Sequence, residues 1–320
     1  MVQVSIVIPV YNEEPVLNTF YKQLSSVISG LGCSCEVIFV DDGSTDHTLY
    51  ILDELKKTDP SVRVISLSRN FGHQAAICAG MEASRGKYTS TMDGDGQHPP
   101  ELIAQMTALA DAGYDIVMTQ RMDQVANHSF KSVTSRMFYK VINRVGDTKT
   151  IPGGADFRLL NRKALDSLIA MPEYHRFLRG MVSWIGFRSV ILPFTPNERI
   201  AGKSKYTLGK MFRLASDAIF SFSMLPLYIG LSAGAFFLIL ALIEAVYVLS
   251  FWISGNTSHL APGWSSLMFM LLIIGAVLMI ILGFTGVYIG YIFQEVKHRP
   301  VYIIKRDDAE FPVSEMEERK

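Results

Sequence analysis

The sequence predicts an α/β domain built on a mainly parallel sheet, followed by two membrane-spanning helices. Short apolar runs alternate with amphipathic stretches through the first part of the chain, the pattern of βαβ units. The runs end in polar, acidic clusters at residues 11–13, 41–46 and 93–97. From residue 225 to 293 the text turns predominantly apolar, and this accounts for a mean hydropathy of +0.24 over the whole chain.

The 320 residues hold 30 Lys and Arg against 30 Asp and Glu. No global charge bias points to nucleic acid, so binding must come from local patches. Cys33, Cys35 and Cys78 form neither a usual zinc pair nor a Cys-x-x-Cys redox pair, and read as inert thiols in a reducing, cytoplasmic setting. Val4-Ser-Ile-Val-Ile-Pro9 is too short for a signal peptide and is stopped by proline; it reads as the first strand, over 4–10. An amphipathic stretch follows to about residue 29. Further strands are expected at 36–40, 62–67, 88–92 and 116–119. Helices are expected after residue 46, from 73 to 84 where small residues dominate, and after Pro99-Pro100. In such sheets ligands sit outside the carboxyl ends of the strands, and the acidic clusters lie at those ends. No Gly-x-Gly-x-x-Gly and no full Gly-x-x-x-x-Gly-Lys-Ser/Thr phosphate loop occurs, so a dinucleotide fingerprint and a phosphate-loop ATPase are unsupported.

The stretch that organises the rest is Tyr88-Thr-Ser-Thr-Met-Asp-Gly-Asp-Gly-Gln-His-Pro-Pro-Glu101. Asp93 and Asp95 stand in a tight bend whose glycines let backbone and ligand approach closely. Hard cations such as Mg2+ and Mn2+ are held by one or two carboxylates together with substrate phosphates. Asp93 and Asp95 therefore read as the anchor for a metal-bound diphosphate. A plain turn with a helix cap is the alternative for any isolated Asp-x-Asp, and the neighbouring motifs decide against it.

Those motifs are Pro9-Val-Tyr-Asn-Glu13, Val40-Asp-Asp-Gly-Ser-Thr-Asp46, Ser68-Arg-Asn-Phe-Gly72 and Asp93-Gly-Asp-Gly-Gln-His-Pro-Pro-Glu101. Together they resemble family 2 glycosyltransferases with the GT-A fold. More closely they resemble polyisoprenyl-phosphate glycosyltransferases, the group of dolichol-phosphate mannose synthases and bactoprenol glucosyltransferases. The likeness covers about residues 2–306 and continues through Gly154-Ala-Asp-Phe-Arg-Leu159, Glu198-Arg-Ile-Ala-Gly-Lys-Ser-Lys-Tyr206 and Phe220-Ser-Phe-Ser223. It implies an inverting transferase moving one sugar, glucose from UDP-glucose, from a nucleotide-sugar to polyprenyl (undecaprenyl) phosphate on the cytoplasmic leaflet. A GDP-mannose-using synthase and a catalytically inactive sugar-nucleotide-binding scaffold are the alternatives. The resemblance also implies a homo-oligomer, a tetramer.

Carried over residue by residue, the resemblance places Asp42 at the donor's base, with Pro9, Tyr11 and Glu13 completing the nucleotide wall and Asp41 capping a turn. Asp95 resembles the direct metal ligand, Asp93 a metal or ribose contact, and Gln97 a polar contact near the diphosphate. Arg121 resembles a basic group facing donor or acceptor phosphate, and Arg199 and Lys205 belong to a basic loop that closes over both substrates. Lys131 and Ser135 correspond to an acceptor-phosphate site. Asp156 resembles a proposed catalytic base. A phosphate monoester has a second pKa of about 6 and is largely a dianion near neutrality, so orienting the acceptor or balancing Arg158 is an equal alternative. Bactoprenol-type members often have Leu-Gln-Asp where this chain has Gly96-Gln-His98, which keeps both metal-side aspartates and leaves the sugar open.

Segments 225–253 and 264–293 each exceed the roughly 20 residues that a bilayer requires. Loop 254–263 carries no Lys or Arg, whereas Lys203, Lys205, Lys210 and Arg213 precede the pair and Lys297, His298, Arg299, Lys305 and Arg306 follow it. That asymmetry places both termini in the cytoplasm of a multi-pass inner-membrane protein. Residues 127–144 read either as an interfacial helix near anionic headgroups or as a solvated helix of the soluble domain. Glu244, costly inside a span, is neutral, paired across a subunit contact, or snorkelling. The expected organisation is a catalytic domain over 1–200, an amphipathic interfacial segment over 201–223, two membrane helices over 224–294 and a cytoplasmic tail over 295–320, charged and poor in core residues from 307 on. A processive polysaccharide synthase would add Gln-x-x-Arg-Trp and more spans. A sugar-phosphate nucleotidyltransferase would have a glycine-rich Arg loop after the first strand. The sequence has neither.

Overall fold

The computed structural model of the chain describes residues 2–122, 151, 153–174, 176–197 and 263–307, with individual positions between 227 and 254. It divides into two units, Met1–Phe212 with Arg299–Lys320, and Arg213–His298.

The first unit opens with β1 (Val4–Val10), α1 (Glu14–Gly30), β2 (Cys35–Asp41), α2 (Thr48–Thr58), β3 (Val62–Leu67), α3 (His73–Ala83) and β4 (Tyr88–Thr91). It continues through α4 (Leu102–Asp111), β5 (Ile116–Arg121), β6 (Gly154–Asn161), α5 (Arg162–Ile169), α6 (Leu178–Trp184), β7 (Ser189–Phe194) and β8 (Ile304–Asp307). The strands form one sheet in the order β7-β5-β6-β4-β1-β2-β3-β8. β1 is parallel to β2 and β4, and β2 is parallel to β3. From β1 the chain steps through β2 and β3 on one side, then crosses to β4 on the other. That reversal opens a crevice at the carboxyl ends of β1 and β4, the place where such sheets bind ligands.

β1 is buried along its whole length because both faces of the sheet are covered. On one face Val4, Ile6, Ile8 and Val10 join Val16, Leu17, Phe20 and Leu24 of α1 and Leu52 of α2. On the other, Val7, Ile38, Val40 and Ile65 pack on Ala76 and Ala79 of α3. α3 lies so close to the sheet that a Cβ on Gly80 would stand 2.2 Å from Cγ1 of Val7 and 2.9 Å from Cγ2 of Val40. The run of small residues noted in the sequence is thus what brings this helix down onto the strands. α5 starts at a side-chain cap, Asn161 Oδ1 accepting the Ala164 N–H at 2.8 Å.

The five expected strands are all present, β5 running on to Arg121. Three more were not expected. β6 lies antiparallel between β4 and β5, and β7 is the edge strand parallel to β5. β8 corrects the expectation that everything after residue 295 is a tail, because it pairs antiparallel with β3. The Arg63 guanidinium fixes it, donating from Nε and Nη2 to Asp307 at 3.0 and 2.6 Å. The Ser68 N–H adds a bond to the Ile303 carbonyl at 2.9 Å. Ile-Lys-Arg-Asp is too short and too charged to announce a strand; the pairing exists because an arginine on the neighbouring strand meets its final carboxylate.

The second unit contains α7 (Trp264–Val296). Its stretch Ile273–Val296 has a mean hydropathy of 2.3 and is, among the described residues, the one helix long and apolar enough to cross a membrane. Within 225–253, individual positions from 227 to 253 are helical. A Cβ on Gly230 would stand 3.1 Å from Cγ1 of Ile281, so this segment packs against α7. Glu244 and residues 127–144 and 201–223 lie outside the described residues.

Candidate active site

The loops at the carboxyl edge of the sheet are stitched to one another. Asn12, at φ +53°, donates its N–H to Ser44 Oγ at 3.0 Å and accepts the Thr45 N–H at 2.8 Å. The Glu13 N–H donates to Thr48 Oγ1 at 2.9 Å. The β1 and β2 loops therefore form one wall, with Pro9 buried behind it and Tyr11 and Glu13 half-buried in it. Asp41 holds its own turn, accepting the Ser44 N–H at 3.0 Å and the Ser66 hydroxyl at 3.2 Å.

Asp42, expected to face the donor's base, is turned inward. It is 3 % exposed, and its two oxygens accept the N–H groups of Phe71 at 2.7 Å and Gly72 at 2.9 Å. Burial raises its pKa, against the opposing pull of those two N–H groups. Beside it, Gly43 sits at φ +69°, and a Cβ there would lie 2.6 Å from the carbonyl carbon of Arg69. Only glycine permits that crossing of two backbones. Asp42 thus holds the Ser68-Arg-Asn-Phe-Gly72 loop in place, and with it the start of α3.

Asp93 and Asp95 follow β4. The Asp93 N–H donates to Nδ1 of His98 at 3.0 Å, which leaves the proton of a neutral imidazole on Nε2, 3.7 Å from Asp93 Oδ2. His98 is 2 % exposed, stacked on Phe157 with ring centroids 5.1 Å apart and meeting Phe194 edge-on. Burial pushes its pKa down in spite of the carboxylates around it. On the other side, Nε2 of His73 stands 3.3 Å from Asp93 Oδ1, a buried oxygen that no hydrogen bond satisfies. Burial alone would raise the pKa of Asp93, but His98 and His73 bring it to about 2. Asp95 Oδ1 accepts the Gln97 N–H at 3.0 Å, and Arg121, at the end of β5, donates from Nη1 to Gln97 Oε1 at 3.3 Å.

Asp156 and Arg158 are two apart on β6 and share a face. Asp156 accepts from Arg158 Nη2 at Oδ1, and from Arg179 of α6 through Nε at 3.2 Å and Nη2 at 2.8 Å. Arg158 also donates to the Leu178 carbonyl at 3.1 Å. Asp156 is 6 % and Arg158 4 % exposed. Burial would raise the carboxyl's pKa, yet Arg179 and Arg158 hold it far below the usual carboxylate range. Nε2 of His73 is 4.0 Å from Asp156 Oδ2, so one imidazole lies between Asp93 and Asp156.

The structure thus gathers Asp93, Asp95, Gln97, Arg121 and Asp156 at one edge, while Lys131, Ser135, Arg199 and Lys205 lie outside the described residues. Sequence reasoning missed His73 and Arg179. His73 carried a signal, since it directly follows the glycine of a loop motif and opens a helix at a strand's carboxyl end. Arg179 carried none. Among the described residues no group of three or more His, Cys, Asp or Glu side chains could enclose a metal ion. Two aspartates, one with a buried oxygen that makes no well-formed hydrogen bond and has an imidazole nitrogen 3.3 Å away, suit instead a hard cation that completes its shell with substrate phosphate and water.

Residues 5–169 match the glycosyl transferase family 2 model. An uncharacterized glycosyltransferase of Bacillus subtilis (strain 168) is 39% identical, over 95% of this chain and 94% of its own. The bactoprenol glucosyl transferase of Shigella phage SfV is 34% identical, over 95% of this chain and 99% of its own. The crystal structure of mannosyl-3-phosphoglycerate synthase from Rubrobacter xylanophilus, 14% identical, aligns with a TM-score of 0.50 over 68% of this chain and 72% of that one, a likeness of fold. The mostly parallel, Rossmann-like sheet is of the GT-A kind, and the chain belongs to glycosyl transferase family 2.

Proposed function

We propose that the protein is an inverting transferase that moves glucose from UDP-glucose to polyprenyl (undecaprenyl) phosphate at the cytoplasmic face of the inner membrane. The observation that carries this reading is the pairing, within one network, of a metal-suited carboxylate couple with a buried aspartate held by two arginines. End-to-end similarity to a relative named for bactoprenol glucosyl transfer supports the lipid acceptor.

Asp93 and Asp95 would hold Mg2+ or Mn2+, which when bound would offset the charge that builds on the leaving nucleoside diphosphate. Pro9, Tyr11 and Glu13 wall the nucleotide, and Asp42 shapes that pocket by holding residues 71 and 72. Gln97 and Arg121 face the diphosphate. The phosphate oxygen of the lipid attacks the anomeric carbon from the side opposite the leaving group, which inverts the centre. Asp156 acts by position, keeping Arg158 and Arg179 in place beside the acceptor. Lys131, Ser135, Arg199 and Lys205 complete the acceptor side and the closing loop. α7 and the helical positions from 227 to 253 form a two-helix membrane anchor with both termini cytoplasmic, and the active form is a homo-oligomer.

The test is turnover by membranes supplied with UDP-glucose and undecaprenyl phosphate. Asp95→Asn is expected to abolish transfer with the melting temperature unchanged, and EDTA to do the same reversibly. Full activity of Asp95→Asn, or undiminished activity in excess EDTA, removes the metal-diphosphate account. Turnover of GDP-mannose in place of UDP-glucose removes glucose as the sugar.

A further inference from the structure

We propose that His73 is a positioning residue that couples the metal-side carboxylate Asp93 to the acceptor-side cluster of Asp156, Arg158 and Arg179. The inference deepens the transferase reading and rests on it.

The place of His73 is fixed from three directions. Asp42 grips the N–H groups of the two residues before it. Gly72, at φ +102°, turns the chain into α3. Gly80, two turns further on, is pressed against Val7 and Val40, so the helix cannot slide away from the sheet. The imidazole thereby reaches a point where one nitrogen lies 3.3 Å from Asp93 Oδ1 and 4.0 Å from Asp156 Oδ2.

The two carboxylates stand in different need of it. Asp156 is saturated by two guanidinium groups and requires no further cation. Asp93 is approached at Oδ2 by the buried His98, while at Oδ1 the nearest polar group among those recorded is His73. His98 sets that carboxylate from beneath, at 3 % side-chain exposure, and His73 sets it from the open side, at 42 %. Because the same nitrogen faces Asp156, the rotation of Asp93 about its side chain is tied to the position of the acceptor cluster. A surface histidine with no role would leave Oδ1 to water and would have no reason to lie between two carboxylates from different strands.

The experiment uses the full-length protein in detergent, with Mn2+ and UDP as the probe, read by electron paramagnetic resonance. The kcat and the KM values for UDP-glucose and undecaprenyl phosphate are measured in parallel. His73→Leu removes the nitrogen, whereas His73→Gln keeps an N–H donor near the position of Nε2. A polar contact to a charged group corresponds to roughly tenfold or more in an equilibrium constant. His73→Leu is therefore expected to weaken Mn2+ binding by about that factor, lower kcat, and raise the KM for the lipid, with His73→Gln restoring most of all three. Combined with Asp156→Asn, the losses from His73→Leu should be less than multiplicative, as for residues of one network. Unchanged Mn2+ affinity in His73→Leu overturns the coupling. So does a His73→Gln protein as impaired as His73→Leu while both melt with the parent, since packing alone would then be at stake. A parent protein that binds no Mn2+ with UDP and turns over no nucleotide-sugar removes the transferase reading itself, which separates the two failures.

Discussion

Replacing Asp156 by asparagine separates proton transfer from positioning. A base would have to take a proton from a phosphate monoester of pKa about 6, while an ordinary aspartate lies near 3.9. Arg179 and Arg158 hold this carboxyl well below even that value. The transfer is then uphill by more than about 2 pK units, or more than about 3 kcal/mol, when the dianion forms unaided above about pH 6. A depressed folded-state pKa also fixes the sign of the linkage. The stabilisation is fully present above the unfolded value of about 3.9 and fades only as pH falls toward the folded value, so nothing at Asp156 titrates in the assay range. The expected outcome is a ratio of Asp156→Asn rate to parent rate that stays flat from about pH 5.5 to 8, at a low value. Stability should fall as well. Breaking a buried pair costs about 3–5 kcal/mol, and the larger share falls on Arg158, whose side chain is 5% exposed, because Arg179 at 30% reaches water. The assay is a rate profile at saturating donor and varied lipid, with a melting curve of each protein. A ratio climbing toward one above neutrality would falsify the positioning role.

Two further outcomes are expected. Gly80→Ala places a methyl group inside contact distance of Val7 and Val40, and overpacking of this kind costs about 1–3 kcal/mol; thermal unfolding at the parent's midpoint would show that α3 has more room than described. A cysteine at Ser258 should be labelled by an impermeant reagent from outside the cell, and one at Ser314 only after permeabilisation, while the reverse pattern would put the aspartates on the wrong side for cytoplasmic nucleotide-sugars.

The parts of the fold that could be read from the text are those where a single physical demand governs a whole segment. β1, β2 and β3 are covered on both faces, so burial leaves continuous apolar runs that end where the polar loops begin. β6 escaped because Asp156 and Arg158 neutralise each other two residues apart, which puts charges into a buried strand and breaks its apolar pattern. The site followed the same division. Asp93 and Asp95 stand in one bend, so their closeness could be read from their spacing alone. Asp41 and Asp42 are adjacent carboxylates whose partners, Ser66 in one case and Phe71 with Gly72 in the other, come from further along the chain, so which carboxylate faces a ligand is not written in their neighbourhood. Arg179 meets Asp156 across 23 positions and a change of element, a pairing that no local spacing encodes.

β8 changes how the apolar unit relates to the chain. Because Ile304–Asp307 is hydrogen-bonded into the sheet that the chain left after β7, the apolar unit is an insertion in the sheet domain rather than an appendage to it. A polypeptide that leaves a sheet, crosses a bilayer and is stitched back into the same sheet must cross an even number of times. If α7 is one crossing, another lies between Phe194 and Trp264, where the helical positions from 227 to 253 stand. The order of synthesis has a matching consequence. Chains emerge from the ribosome amino end first, so the β3 edge stays open until the apolar segments have been made, and the Arg63–Asp307 pair closes last. The sheet is completed only once the far end of the apolar unit has come back to the β3 edge.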